Sequence, residues 1–395
     1  MRVSSISLRD FRNYAEADIT VEDGCVVLVG SNGQGKTNLV EALNFLSTLG
    51  SHRTSVESAM IRSGQNAAII RVHLAHQDRQ ILLEAQLNRD GANKAQFNRG
   101  AAKLRDFPRY IATVLFAPED LMLIRGDPAN RRKFLDDLIV ARVPRLYSVL
   151  SDYDRALKQR NTLLKTARLA AGGIDKLTTL DIWDDRLVTL GSEIMVERQR
   201  LIRDLSTPVM MAYRSIAGDS HSPQLMMKES ISVVGPDGHR DDERAGHSDS
   251  AAGNSAIHSV AATARAFSRV LAAERSAEVD RGVTLFGPHR DDVEFSLNGL
   301  PTKGYASHGE TWSYALSLRL GAARLLREES VLGDPILILD DVFAELDTSR
   351  RERLATAVSD FEQVFITAAV RHDVPESLLQ QVFSVDRGTI ARTQE

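Results

Sequence analysis

The sequence predicts an α/β protein whose parallel sheet is assembled from two distant stretches of chain and interrupted by a helical insertion. Three observations predict it. Short apolar runs, Cys25-Val26-Val27-Leu28-Val29 and Ile336-Leu337-Ile338-Leu339, stop abruptly at a glycine and at an aspartate pair, and Val364-Phe365-Ile366 makes a third. Such runs are the pattern of strands buried on both faces of a parallel sheet. Between the first two, from about 129 to 215, turn signals thin out and helical periodicity takes over.

A chain of 395 residues suits two or three domains, and 43% hydrophobic with 26% charged residues is the composition of a soluble globular protein. No stretch approaches the roughly 20 uninterrupted apolar residues that cross a bilayer, so no membrane role is expected. Arg9, Asp10 and Arg12 break up any apolar export signal. Cys25 is the only cysteine, which excludes an intrachain disulfide and makes the cytoplasm the expected compartment. The net charge of −4 excludes a chain that coats nucleic acid by bulk charge; any such contact needs a local basic surface.

The elements follow in order. Val3, Ile6, Leu8 and Phe11 punctuate a polar run and read as strand, with Ile19 and Val21 after them. After Lys36, the residues Leu39, Ala42, Leu43, Leu46 and Leu49 recur at helical steps and predict a helix ending near Gly50. Residues 67–125 read as further strands, with Asn88-Arg89-Asp90-Gly91 as a hairpin turn. Two heptad-like seams follow, one through Leu146, Leu150, Tyr153, Leu157 and Leu164, the other through Leu180, Trp183, Leu187, Leu190 and Ile194. With Ala171-Gly172-Gly173 as the turn between them they predict an antiparallel helical arm, or equally two helices of an ordinary bundle. The segment 235–258 is polar and is expected to be a mobile loop or disordered insert. Thr284-Leu285-Phe286 reads as strand again, and Val293, Phe295 and Leu297 alternate into the turn Asn298-Gly299. The expected domains are 1–127 and 281–395, forming one split domain, and 128–280 as the insertion.

The chemistry starts at Gly30-Ser31-Asn32-Gly33-Gln34-Gly35-Lys36-Thr37, which fits the phosphate-loop pattern and lies between a buried strand and a helix, as that pattern requires. Glycines let backbone amides turn inward around the phosphates of ATP beside the positive end of the helix. Lys36 is expected to neutralise the β- and γ-phosphates, and the Thr37 hydroxyl to ligate Mg²⁺. The second half of such a site is an acidic residue ending another buried strand. Asp340 is expected to hold Mg²⁺ and Asp341 to polarise the attacking water. A compact domain does not need some 300 residues between these halves, so an insertion is required.

The phosphate loop, the helical insertion, Ser307-His308-Gly309-Glu310 and Asp340-Asp341-Val342-Phe343-Ala344-Glu345-Leu346-Asp347 together resemble an ABC-type ATPase head of the SMC-like group. Within that group the chain is similar to the RecF family of bacterial recombination mediators. Gly50-Ser51-His52-Arg53-Thr54, Phe116-Ala117-Pro118-Glu119-Asp120-Leu121, Arg131-Arg132-Lys133-Phe134-Leu135-Asp136 and Gly287-Pro288-His289-Arg290-Asp291-Asp292 carry that likeness. The resemblance implies that Ser307 and Gly309 form the signature motif capping the γ-phosphate of ATP held by a second copy, so that ATP joins two heads. Ser307 with Glu310 is also a plain capping box, and both readings are compatible. Glu345-Leu346-Asp347 corresponds to the D-loop. Three departures stand out: Glu119 where a glutamine is usual, Asp341 in place of a glutamate base, and Thr367 in place of the switch histidine. They imply slow hydrolysis, a timer more than a motor.

The resemblance further implies duplex and gapped DNA as ligand, an ATP-dependent homodimer, partners like RecR and RecO, and a role in DNA repair and replication through recombinase loading. Arg53, Arg62, Arg131, Arg132, Lys133, His289 and Arg290 are candidates for a basic stripe on duplex phosphates, although each taken alone reads as solvated surface, and Arg290 beside Asp291 and Asp292 as a local ion pair. Aromatic residues, at 6%, do not interleave with basic ones, so a stacking platform for single strands is not indicated. A transporter's ATPase subunit, a chromosome-organising SMC-like scaffold and a nucleotide-gated scaffold without turnover are the competing classes.

Overall fold

The computed structural model describes residues 1–76, 79–169, 179–233, 258–330 and 333–393. The expected turn at Ala171-Gly172-Gly173 and all but the last residue of the polar segment 235–258 lie outside the described residues. The chain forms two compact units, one of Met1–Gly126, Thr207–Gln224 and Ser296–Glu395, the other of Asp127–Ser206 and Leu225–Phe295.

The first unit holds two six-stranded sheets. One is antiparallel in the order β2-β1-β4-β5-β6-β7, from β1 (Arg2–Phe11), β2 (Tyr14–Thr20), β4 (Ala67–His76), β5 (Arg79–Asn88), β6 (Lys94–Phe97) and β7 (Gly100–Ala102). Val3, Ile6, Leu8 and Phe11 of β1 are all buried. A break in register between Val3 and Ser5 lets the inward face skip from Val3 to Ile6, which strict alternation would forbid. The Asn88–Gly91 turn is where it was expected, joining β5 to its antiparallel partner β6.

The other sheet is built on β3 (Gly24–Val29), β8 (Thr113–Phe116), β12 (Ile336–Asp340), β13 (Gln363–Ala368), β14 (Gln381–Asp386) and β15 (Thr389–Arg392), in the order β15-β14-β3-β13-β12-β8. All neighbours are parallel except β15. The three apolar runs are therefore adjacent central strands, and β13 separates the strand entering the phosphate loop from the strand ending in the aspartates. Helix α1 (Lys36–Thr48) shares one buried cluster with both sheets, through Leu39, Leu43, Phe45 and Leu46 against Leu8 and Phe11 on one side and Val26, Ile338 and Phe365 on the other. Further helices are α2 (Leu121–Arg125), α7 (Thr302–Tyr305), α8 (His308–Glu329) and α9 (Thr348–Val358).

The second unit is mostly helical: α3 (Pro128–Arg142), α4 (Leu146–Leu169), the first part of α5 (Leu180–Ala217) and α6 (Val260–Arg281). The two seams meet as read: Tyr153 and Ala156 of α4 form one buried cluster with Leu187 and Ile194 of α5, flanked by Leu150, Leu157, Trp183 and Leu190. The pair is not alone. Ala266, Phe267 and Leu271 of α6 pack on Val188 and Met195, adding a third helix whose short alanine-rich stripe carries little periodic signal.

Strand is expected but does not form at Leu121–Arg125, the end of the stretch 67–125, which is helix α2 with its backbone bonded within its own turn, and at 284–286. Thr284-Leu285-Phe286 is irregular, because side chains take its backbone groups: Thr284 N–H donates to Asn161 (2.8 Å), Leu285 N–H donates to Glu278 (2.7 Å), and Thr284 O accepts from Arg290 (2.9 Å). Strand character starts at β10 (Asp292–Leu297), which lies between β9 (Pro223–Lys228) and β11 (Leu300–Pro301). Asn298 and Gly299 turn the chain there with φ of 53° and 77°. Among the described residues no helix is long and apolar enough to cross a membrane.

Candidate functional site: a phosphate loop facing two aspartates

The loop from Gly30 to Gly35 leaves β3 and enters α1 at Lys36. Gly33 and Gly35 have φ of 82° and 123°, a region that L side chains rarely adopt, so glycine is required at both. Gly30 is required for space, since a Cβ there would sit 2.2 Å from Val385 O. Ser31, Asn32 and Gly33 are exposed, whereas Lys36 is only 3% exposed. Its Nζ folds back across the loop to donate to Gly30 O (2.7 Å) and Ser31 O (3.3 Å), and lies 4.0 Å from Asp341. An ammonium held by two carbonyls at the mouth of an amide-lined loop is placed to receive an oxyanion.

Two turns grip the loop from outside, and local sequence did not reveal them. At the β1–β2 turn, Asn13 Nδ2 donates to Gln34 O (2.8 Å) and Tyr14 Oη donates to Gly35 O (2.9 Å). At the β14–β15 turn, Arg387 N–H and Gly388 N–H donate to the side chain and carbonyl of Gln34 (2.7 and 3.1 Å). These bonds hold the Gln34 and Gly35 carbonyls away from the loop's interior.

The carboxylates end β12. Asp340 Oδ1 accepts from Thr37 Oγ1 (3.0 Å) and from Thr367 Oγ1 (2.6 Å), so the two sequence halves meet across β13. Thr367 also accepts from Asp341 N–H (2.9 Å). Asp341 has φ of 52°, a left-handed conformation that this bond helps to hold. Burial, with Asp341 beside it and against the two hydroxyl bonds, pushes the Asp340 carboxyl up to about 6. Thr37 and Asp340 thus present hard oxygen donors at a point short of positive charge, which fits a magnesium ion shared with a phosphate. Among the described residues no cluster of three or more His, Cys, Asp or Glu offers an all-protein metal cage.

Ser307 caps α8 by accepting from Glu310 N–H (3.3 Å), while Glu310 returns the bond to Ser307 N–H (2.7 Å). A Cβ on Gly309 would meet the Arg350 guanidinium at 2.6 Å. Arg350 lies in the first turn of α9, capped by Asp347, so the signature and D-loop segments are neighbours. Among the described residues no hydrogen bond or ion pair joins Ser307 or Gly309 to the loop at 30–37. Glu119 is exposed just beyond β8, and its neighbour Asp120 is anchored by Arg319 of α8 (2.6 Å).

The basic candidates are held internally. Arg62 pairs with Asp10 (2.8 Å), Arg131 with Asp292 (2.7 Å) and Lys133 with Asp137 (2.7 Å). Arg53 donates to Asn38 (2.8 Å), Arg132 to Asp291 O (2.8 Å), and His289 bonds Tyr153 (2.8 Å). The local pair expected for Arg290 does not form: its guanidinium turns to Thr284 O, while Asp291 accepts from Ser230 (2.8 Å) and Asp292 from Arg131.

The family model described as RecF/RecN/SMC N terminal domain matches residues 2–390. A curated relative from Leifsonia xyli subsp. xyli, named DNA replication and repair protein RecF, is 54% identical over 390 residues, 99% of each chain. One of the same name from Streptomyces avermitilis is 47% identical over 396 residues, covering 99% of this chain and all of that one. Among solved structures, the recombination mediator protein RecF with ATPrS, in the RecFOR pathway, superposes with a TM-score of 0.85 at 25% identity over 100% of this chain and 98% of that one. An SMC head bound to a domain of ScpA, at TM-score 0.55 and 14% identity over 100% of this chain and 97% of that one, shares the fold alone. These matches bear out both the resemblance carried by the motifs and the ABC-type head fold. The chain belongs to the RecF family.

Proposed function

We propose that this chain is an ATP-switched DNA-binding protein of recombinational repair and replication, acting in the cytoplasm. Gly30–Thr37 binds the ATP phosphates, Thr37 and Asp340 hold Mg²⁺, Asp341 orients the attacking water, and Ser307 with Gly309 completes the site of a second copy. The solved relative with ATPrS supports the nucleotide. Magnesium would neutralise the phosphate oxygens and relieve the buried Asp340 charge. The chain's own part is to aim amides, hold Lys36 at the loop mouth and keep Asp341 rigid through Thr367.

One observation carries the dimer reading: Thr37 and Asp340 assemble within one chain, while Ser307 and Gly309, at a helix N-terminus suited to an anion, have no bond to that loop. The terminal phosphate then bridges two copies on duplex DNA near single-strand gaps, and slow hydrolysis releases them. Partners like RecR and RecO, named through the RecFOR pathway of the solved relative, would take over recombinase loading. The domain reading of a head from 1–127 and 281–395 with a helical arm at 128–280 belongs to the same proposal.

The test is Ser307→Arg, followed by light scattering with and without ATP and a gapped duplex. The variant is expected to bind ATP at wild-type strength yet remain monomeric. Full ATP-driven dimerisation of the variant would remove the trans role, and a wild type indifferent to ATP would remove the switch.

A further inference from the structure

Many basic side chains among the described residues have an internal partner, but those of one groove do not. Between residues 89 and 109 stand Arg89, Lys94, Arg99, Lys103, Arg105 and Arg109 against only Asp90 and Asp106, in a chain of net charge −4. Lys94, Lys103 and Arg105 line an open groove of about 730 Å³ together with Asn93, Gln96 and Ala101. All three are exposed, and among the described residues none makes a side-chain hydrogen bond or ion pair.

The register explains why this is costly without a ligand. β6 and β7 pair Ala95 with Ala102, Gln96 with Ala101 and Phe97 with Gly100. Ala95 is buried and Phe97 and Ala102 pack on the core, so that face is inward. Continuing the register puts Lys94 opposite Lys103 on the outward face. Like charges directly opposed on a sheet repel. At the hairpin tip, Arg99 takes a φ of 68°. Beside the cations the outward face of the hairpin carries only Gln96 and Ala101, polar or small residues that let a backbone come close.

We infer that this strip, the β6–β7 hairpin and the turn after it, is a docking track for the phosphodiester backbone of duplex DNA. The inference rests on the duplex-binding reading above and names the surface that carries it. An acidic peptide fits less well: a peptide interface needs a deep apolar anchor site, and the apolar groups lining this groove are alanine side chains and the half-buried Leu104. The strip belongs to the same compact unit as the phosphate loop and shares no residue with it.

The experiment compares wild type with the triple variant Lys94→Ala, Lys103→Ala, Arg105→Ala in duplex titrations across salt concentration. The variant is expected to lose at least about tenfold in duplex affinity at about 0.1 M salt, and its log–log salt slope to shrink by about 3, near one for each phosphate no longer neutralised. ATP affinity should stay unchanged. A variant with wild-type affinity and slope overturns the track while leaving duplex binding standing; a wild type that does not retain duplex at all sinks the functional reading itself. Independently of variant folding, duplex should protect Lys94 and Lys103 of wild type from an amine-reactive reagent. Equal labelling with and without duplex overturns the inference, as does protection by polyglutamate but not by duplex.

Discussion

Buried charge is handled in opposite ways at two places in the molecule, one in each unit. In the helical unit, Arg160 is fully buried and meets Asp184 (2.6 Å), Glu278 (2.6 Å) and the Thr284 hydroxyl (2.9 Å), while Arg275 takes the other oxygen of Asp184 (2.6 Å). Arg198 grips Asp136 with two bonds of 2.9 Å and donates to Pro288 O. Each of these cations has its counter-charge inside the fold. At the phosphate loop, Asp340 is also buried, yet it has two hydroxyls and a neighbouring carboxylate, and Lys36 is turned toward backbone carbonyls. The first arrangement pairs each cation with a carboxylate; the second sets two carboxylates beside a single ammonium, an imbalance that the proposed Mg²⁺ and ATP would offset.

Three experiments break or sharpen that contrast. The largest effect is expected from Arg160→Met, which leaves Glu278 buried without its cation and Asp184 with Arg275 alone. Urea unfolding followed by helix signal should show a loss of about 3–5 kcal/mol. ATP affinity should change little, and a loss below about 1 kcal/mol would erase the distinction between the two regions. Next comes Asp340→Asn. The carboxyl's folded value, about 6, lies above its ordinary value of 3.8, so its stability contribution is fully present below about pH 4 and is lost as pH rises through 6. The neutral variant should therefore gain up to about 3 kcal/mol over nucleotide-free wild type at pH 8, and nothing at pH 4, in parallel melts. It should also lose the extra stability that Mg²⁺ with ATP confers on wild type. Equal stabilities at both pH values would mean the carboxylate is not unbalanced. Tyr14→Phe is expected to be smallest. Losing the bond to Gly35 O should cost about 1 kcal/mol and loosen ATP binding a few-fold by isothermal titration. An unchanged affinity would show that the outer grip does not shape the loop.

Much of this was legible along the chain. Glycine spacing, the apolar runs and the acidic pair are local patterns with a local physical cause, and each fell on the expected element. The heptad seams were legible because burial along a helix repeats in sequence. Other features were not. Thr367 reads along the chain only as a residue in place of the switch histidine, and parallel pairing with β12 is what puts its hydroxyl between both aspartates. Asn13 and Tyr14 look like a hairpin turn, and only folding brings them to Gln34 and Gly35. Thr284–Phe286 has strand composition, but neighbouring side chains outcompete a ladder for its backbone.

By itself, then, the amino-acid sequence determined the glycine-rich loop, the buried strands and the paired helices, because short-range periodicity and glycine's conformational freedom act within a few residues. Only the tertiary structure decided which charges are already neutralised. That depends on partners far apart along the chain, 161 residues for Arg131 and Asp292, and no local pattern encodes it. Such long-range pairs engage Arg62 and Arg131, whereas Lys94, Lys103 and Arg105 face solvent.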